Sequence, residues 1–337
     1  SVTFVYVDST QGWINTMDST SNVRGLTPFI HATVSGACNT LSTAPDCANT
    51  KIATFLGPGT FCVSAASPCA ANNLVSYMVV AGGGGGGGHR AGAGGAGGFR
   101  EVKSPSATGY TASPLDGYPT PGNRITVSAN PYPITAGGGG AAGTGEPSIP
   151  IGQNGVNGSD SIFSTITSAG GGYGAHPGCI GGSGGSGGGG ADTGSGPKAG
   201  GAGNTPPTTP AQGFAGGTGT TGPKYGTGGG GGASAIGVDG TTSVAGNGGA
   251  GVATEITGGS VSRAGGGGGG IYNCTSNAGT GGTGGGGNGS NGPGGVATAG
   301  GVNLGGGGGG GYHPGSQSEE NGAAGGSGIV IIRYKFQ

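Results

Sequence analysis

The sequence predicts a mainly β and irregular chain: a β-rich N-terminal part, then a polyglycine-II helix bundle closed by paired terminal strands. Three observations carry that prediction. The chain opens with Val2, Phe4 and Tyr6 alternating with Thr3, Val5 and Val7, the two-residue period of a strand. Glycine fills 97 of 337 positions, close to four times its usual share of ~7 %. The glycine region is bounded by two near-continuous apolar runs, NLVSYMVVA (73–81) and SGIVIIRYKF (327–336), of the kind that form buried strands.

In chain order, residues 1–25 read as a β connector, with turn chemistry over 8–12 and a strand resuming at Trp13-Ile14. Residues 26–72 read as a small β region with strands over 28–34, 51–55 and 60–64. Gly57, Pro58 and Gly59 predict a hairpin between the last two. Residues 73–337 read as one glycine-rich domain whose first and last strands pair.

Inside that domain a loose repeat recurs: a small or β-branched lead, a glycine run, then often an aromatic residue or His. Examples are VVAGGGGGGGH (79–89), TSAGGGY (167–173), SRAGGGGGGIY (262–272) and NLGGGGGGGYH (303–313). Helix is disfavoured in such runs, because each Gly costs ~1 kcal/mol relative to Ala. An ordinary strand would have no side chains to pack. Polyproline-II geometry remains, with backbone groups pointing outward and needing lateral partners when buried. Ordering so many glycines is entropically costly, so a cooperative array is expected rather than single runs.

The stretches 104–124, 143–158, 191–224 and 271–279 then become loops. In and beside them stand Tyr110, Tyr118, Tyr132, Tyr225 and Tyr272 among Pro, Asn and Ser. That is the vocabulary of adaptable binding loops, and it makes these tyrosines candidate recognition residues. An equal alternative is that they cap the ends of the glycine array.

Composition excludes several classes. Only 7 % of residues are charged and the net charge is −1, so no footprint for nucleic acid or an anionic membrane exists. No apolar run is long enough to cross a bilayer. The opening SVTFVYVDS has no signal-peptide pattern and reads as a processed or truncated end of something longer. Low-complexity disorder is the bland reading of such composition, but the charge is too low and Val, Ile, Phe and Tyr punctuate the runs. Collagen is excluded by the missing G-X-Y period.

Six cysteines, Cys38, Cys47, Cys62, Cys69, Cys179 and Cys274, give an even count. The close pairing of the first four suggests Cys38–Cys47 and Cys62–Cys69 bridges, a Cys179–Cys274 bridge would tie two distant glycine segments, and free buried thiols are the alternative. No metal and no cofactor are expected, since no C-x₂₋₄-C pair exists and His31, His89, His176 and His313 are scattered. The G-x-S-x-G match at 181–185 lacks a strand-turn-helix setting. NGVNGSDSIF (154–163) echoes one calcium nonapeptide with Asp160 at the acidic position, but a hydrogen-bonded turn before a strand is the better reading. Glu319-Glu320 reads as a solvated pair. No motif passes as a catalytic site, so the chain is expected not to be an enzyme.

The words VSYMVVAGGGGGGG, AGGFREV, TASPLDG, ITVSANPYPITAGGGG, NGSDSIFSTITSAGGG, GAGNTPP and GGSGIVIIRYKFQ, in that order, resemble the glycine-rich domain of phage structural proteins. Such domains are familiar from marine phages, and the resemblance covers roughly residues 60–337. The opening VTFVYVDSTQGWINT resembles the end of a β-rich fibre shaft. A more distant likeness is to glycine-rich adhesins at phage tail-fibre tips, which are packed polyglycine-II helices carrying distal variable loops. The resemblance implies a virion surface protein, extracellular, that displays loops to a host-cell glycan or protein. It also implies a homo-oligomer, a trimer by family analogy, working with other virion proteins. A capsid-decoration protein or a self-assembling filament subunit is the structural alternative.

Overall fold

The structure is a computed structural model that describes residues 4–6, 13–15, 29–106, 109–145, 152–192, 194–273, 277–292, 294–314 and 320–337. Its strands are β1 (Phe4–Tyr6), β2 (Trp13–Asn15), β3 (His31–Ser35), β4 (Thr40–Ala44), β5 (Cys47–Phe55), β6 (Gly59–Ala65), β7 (Leu74–Val80) and β8 (Phe99–Val102). They continue as β9 (Ile125–Thr126), β10 (Pro131–Thr135), β11 (Ser161–Phe163), β12 (Ile166–Ser168), β13 (Val252–Thr254), β14 (Val261–Arg263) and β15 (Ile329–Lys335).

β1 and β2 form an antiparallel pair, and so do β13 and β14. The rest make two larger sheets, ordered β12-β11-β10-β6-β3 and β4-β5-β15-β7-β8, with β9 also on β7. These two sheets face one another. Phe61, Val63, Ile134, Phe163 and Ile166 of the first pack against Phe55, Tyr77, Val79, Val330, Ile332 and Tyr334 of the second. Edge-on aromatic pairs, Tyr77–Phe163 at 5.9 Å and Phe61–Tyr334 at 5.4 Å, sit in this core.

The apolar run before the glycine region pairs with the run that ends it: Ile329 lies opposite Val80 and Arg333 opposite Ser76. Both strands are buried on two faces. Their second face, with Met78, Val80, Ile329 and Ile331, packs against Tyr110, Ala233, Val252, Ile256 and Ala264. Two-sided burial is why these strands are almost uniformly apolar instead of alternating. Strands from residues 26–72 join the same sheets, β5 on β15 and β6 on β10.

The hairpin expected at Gly57-Pro58-Gly59 is corrected. β5 pairs with β4 and β15, while β6 pairs with β3 and β10. The turn carries the chain from one sheet to the other, so Phe55 and Phe61 enter the core from opposite sides.

The polyglycine-II helix bundle expected between the end strands is also corrected. Regular structure is nearly all β, 24 % strand against 2 % helical, and among the described residues no helix reaches seven residues. The strands lie where β-branched and aromatic side chains can pack. The glycine runs between them are neither strand nor helix, and are held by sideways backbone bonds. Gly82, Gly85 and Gly88 donate to the carbonyls of Ser159, Val156 and Gln153. Gly83, Gly86 and His89 donate to Gly326, Ala323 and Glu320, and Gly84 and Gly87 to Gly95 and Gly92. Those eight bonds span 2.8–3.1 Å, ordinary N–H···O lengths. The run is therefore tied to three neighbours in turn, which satisfies donors that no water can reach. Only glycine permits this spacing. A methyl group on Gly83, Gly84 or Gly86 would collide with the carbonyl of Gly306, Gly172 or Gly309.

The stretch 191–224, expected to be one loop, is instead partly built into this network. Gly201 donates to Gly188, Phe214 to Gly232 and Gly217 to Gly229.

Candidate functional site

The five candidate tyrosines divide between two ends of the molecule. Tyr110, Tyr118 and Tyr132 lie by the sheets. Tyr110 is only 5 % exposed, with the Arg333 guanidinium 4.7 Å and the Lys103 ammonium 5.2 Å from its ring. Burial pushes its phenol up from the ordinary range, with Glu101 adding to the effect. Tyr110 is thus a core residue, which corrects its assignment to a receptor-facing loop. Tyr118 packs against the sandwich core, with Arg124 4.3 Å above its ring. Tyr132 stands in β10, edge-on to Phe163 at 6.2 Å, and its hydroxyl accepts the Ser128 N–H at 2.8 Å.

Tyr225 and Tyr272 are different. The run Gly82–Gly88 carries the chain away from β7, so the turns beyond it form an end of the molecule remote from the sheets. There Tyr225 and Tyr272 meet edge-on at 5.7 Å, and Tyr272 stacks on His313 at 5.3 Å with the planes 17° apart. His313 in turn lies 4.0 Å from His89. The Arg90 guanidinium covers both tyrosines, 4.5 Å from Tyr225 and 5.2 Å from Tyr272. Its cation thus rests on two π faces, and its Nε is buried with no hydrogen-bond partner among the described residues.

Backbone geometry builds the cluster. His89, Tyr225 and Asn273 hold positive φ values of 64°, 46° and 41°, which turn the chain sharply at the ends of the glycine segments. Tyr272 donates its N–H to Lys224, Asn273 donates to His313, and Lys224 Nζ donates to the Asn273 carbonyl at 2.6 Å. The contacts continue outward. Lys224 N–H bonds Thr242, Asn277 Nδ2 bonds Ser243, and Ala278 N–H bonds Asn291 Oδ1. The Glu320 carboxylate accepts from Ser290 Oγ and the Gly294 N–H, and its carbonyl accepts from His89. The turns thereby close into a linked ring.

The inner cluster of this ring, around Arg90 and His89, is poorly solvated. Burial first, then His313, Arg90 and His176, push His89 down to about 3. Burial and Arg90 lower His313 as well. Burial lowers Arg90, opposed by Tyr225, Tyr272 and Asp192. Both imidazoles are therefore neutral at pH 7.

Reading from sequence treated the histidines as scattered and passed over Arg90. The signal is nevertheless there, because His89, Tyr272 and His313 each follow a glycine run within two residues. The cysteine expectations are corrected: Cys38, Cys62, Cys69 and Cys179 are free. Cys47 opens β5 opposite Ala44, whereas Cys38 precedes the far end of that ladder, where Thr40 faces Thr54. At ~3.4 Å per strand residue the two cysteines are too far apart to bridge. Cys274 lies outside the described residues, as does Glu319. Among the described residues no group of three His, Cys, Asp or Glu side chains is placed to hold a metal. Asp160 Oδ1 accepts the Gly170 N–H at 2.8 Å just before the β11–β12 hairpin.

No curated protein matches the chain. Residues 57–335, well over half of the sequence, match the family described as Glycine-rich domain, and the chain belongs to that family.

Proposed function

We propose that the chain is a non-enzymatic virion surface protein, a tail-fibre-tip or adhesin-type module that presents loops to a host-cell glycan or protein. The observation that carries this reading is the ring of turns at the end remote from the sheets. A hydrogen-bonded array with few side chains fixes those turns in place, and preorganised loops bind without an ordering cost. The resemblance of the ordered words of the sequence to phage structural proteins supports a module on a virion, outside the cell, beside other virion proteins. Homo-oligomerisation, as a trimer by family analogy, would add avidity.

The test is a cell-binding assay with the labelled chain. Thr242→Arg and Ser243→Arg alter exposed turn residues at the remote end, and Ser42→Arg alters an exposed residue on β4. Binding should be lost with the first two and kept with the third. Equal binding by all three would remove the recognition role from these turns. An antibody against the chain should also label fibre ends in electron micrographs of the native source.

A second reading, a scaffold or filament subunit, is favoured by one surface segment. Ile236 and Val238 are 63 % and 51 % exposed, beside the exposed Val244, and the Ile236 and Asp239 N–H groups meet no acceptor among the described residues. Such an edge invites another chain. Light scattering that finds mass growing with concentration, reversed by Ile236→Lys, would support this reading.

A further inference from the structure

The turn His176-Pro177-Gly178-Cys179 holds a thiol against an imidazole, beside the aromatic cluster whose His89 feels His176. Cys179 Sγ lies 3.3 Å from His176 Nε2. His176 Nδ1 lies 2.9 Å from the Pro177 carbonyl oxygen. A carbonyl can only accept, so Nδ1 carries the ring proton and Nε2 presents its lone pair to the thiol. Nucleophile, base and an orienting group on the base's second nitrogen are the three parts of an activated nucleophile.

The turn is pinned rather than loose. His176 donates its N–H to Asn154 Oδ1 at 2.8 Å. Cys179 donates to the His176 carbonyl at 3.2 Å, and Gly178 to Ala191 at 2.8 Å. Ala191 donates back to Cys179 at 3.2 Å. Gly178 adopts φ 92°, a conformation that suits glycine. Cys179 is half-buried, whereas the free thiols Cys38 and Cys69 are exposed.

We propose that Cys179 is an activated thiol with His176 as its base, a covalent modification site for small disulfides and soft electrophiles. The Cys179 S–H proton passes to His176 Nε2, and the thiolate attacks one sulfur of a disulfide RSSR. That S–S bond breaks as the Cys179–SR bond forms. The departing RS⁻ takes the proton from the imidazolium. One disulfide is consumed and one is formed, with RSH released and no further oxidant needed.

The experiment exposes the whole chain to oxidised glutathione, and separately to iodoacetamide, and follows each cysteine by peptide mass mapping. Accessibility alone would rank Cys38 and Cys69 first. The dyad instead ranks Cys179 first at pH 7, faster than either by a factor on the order of ten, because His176 Nε2 takes up the thiol proton as the sulfur attacks. His176→Gln should slow Cys179 by about the same factor and leave Cys38 unchanged. Prior reaction at Cys38 or Cys69, or recovery of Cys179 already bridged to Cys274, would overturn the proposal. The comparison of thiols within the unmodified chain decides the matter even where His176→Gln fails to fold.

Discussion

Asn157 Oδ1 accepts the Tyr173 N–H at 2.8 Å, and three residues earlier Asn154 Oδ1 accepts the His176 N–H at the same distance. The glycine after each asparagine donates to the same neighbouring segment, Gly158 to Gly171 and Gly155 to Gly174. The Asn321-Gly322 and Asn288-Gly289 steps repeat the arrangement against Gly145 and Gly143, and against Gly281 and Gly279. An Asn–Gly step is thus a two-point clip: its amide oxygen replaces a missing backbone acceptor, and its glycine lets the segments approach. Asn157→Ala should lower stability by about 0.5–1.5 kcal/mol, the net worth of one hydrogen bond. Asn157→Asp, which keeps the acceptor, should cost less. Urea unfolding of the two variants checks this, and equal losses would refute the clip.

The glycines are not interchangeable. A methyl on Gly84 would enter the Gly172 carbonyl, whereas one on Gly138 would meet nothing within 4 Å. Gly84→Ala should therefore cost about 3 kcal/mol or more through forced backbone shifts. Gly138→Ala should be neutral or gain about 0.4–1 kcal/mol by restricting the unfolded chain. Denaturation midpoints read both, and similar values would mean that the runs are not closely packed.

What could be read in advance follows from where side chains carry information. Val79, Val80, Val330 and Ile331 announce buried strands, and their pairing is the one that holds the sheet together. Phe55 and Phe61 do not reveal whether the intervening Gly-Pro-Gly closes a hairpin or crosses between sheets, because both need the same turn residues. Within the glycine runs no residue differs from its neighbour, so nothing in the sequence says that Gly84 meets Gly95 and Gly85 meets Val156. Tyr110 resembles any loop tyrosine until the chain's last strand brings Arg333 over its ring.

Arg333 is fully buried, and its Nη2 meets Asp46 Oδ2 at 2.9 Å; its Nη1 donates to the Ile256 carbonyl at 3.2 Å. The last strand is thereby tied to the β4–β5 turn and to the segment after β13. Asp46→Ala should cost about 3–5 kcal/mol, because it leaves a buried cation without its counter-charge. The double variant Asp46→Ala, Arg333→Met should recover much of that loss. A single variant as stable as the parent would show that the pair is dispensable.

His89 supplies a pH dependence whose sign is fixed by its surroundings. An unfolded histidine titrates near ~6.5, whereas burial and its cationic neighbours hold His89 down to about 3. Between those values the unfolded chain binds the proton and the folded chain does not, so stability falls as pH falls. The contribution is complete above about 6.5 and is lost progressively as pH drops toward about 3. Glu101, raised by burial, acts oppositely, since its neutral form is favoured in the fold and its contribution fades as pH rises. Comparing the parent with His89→Asn cancels that term, because Glu101 is common to both. Asn also tolerates the positive φ of 64° at this position. Melting temperatures between pH 7 and pH 5 should therefore fall more steeply in the parent than in His89→Asn. Parallel curves would mean that His89 is protonated as readily in the folded chain as in the unfolded one, and that the remote ring tolerates a second cation beside Arg90.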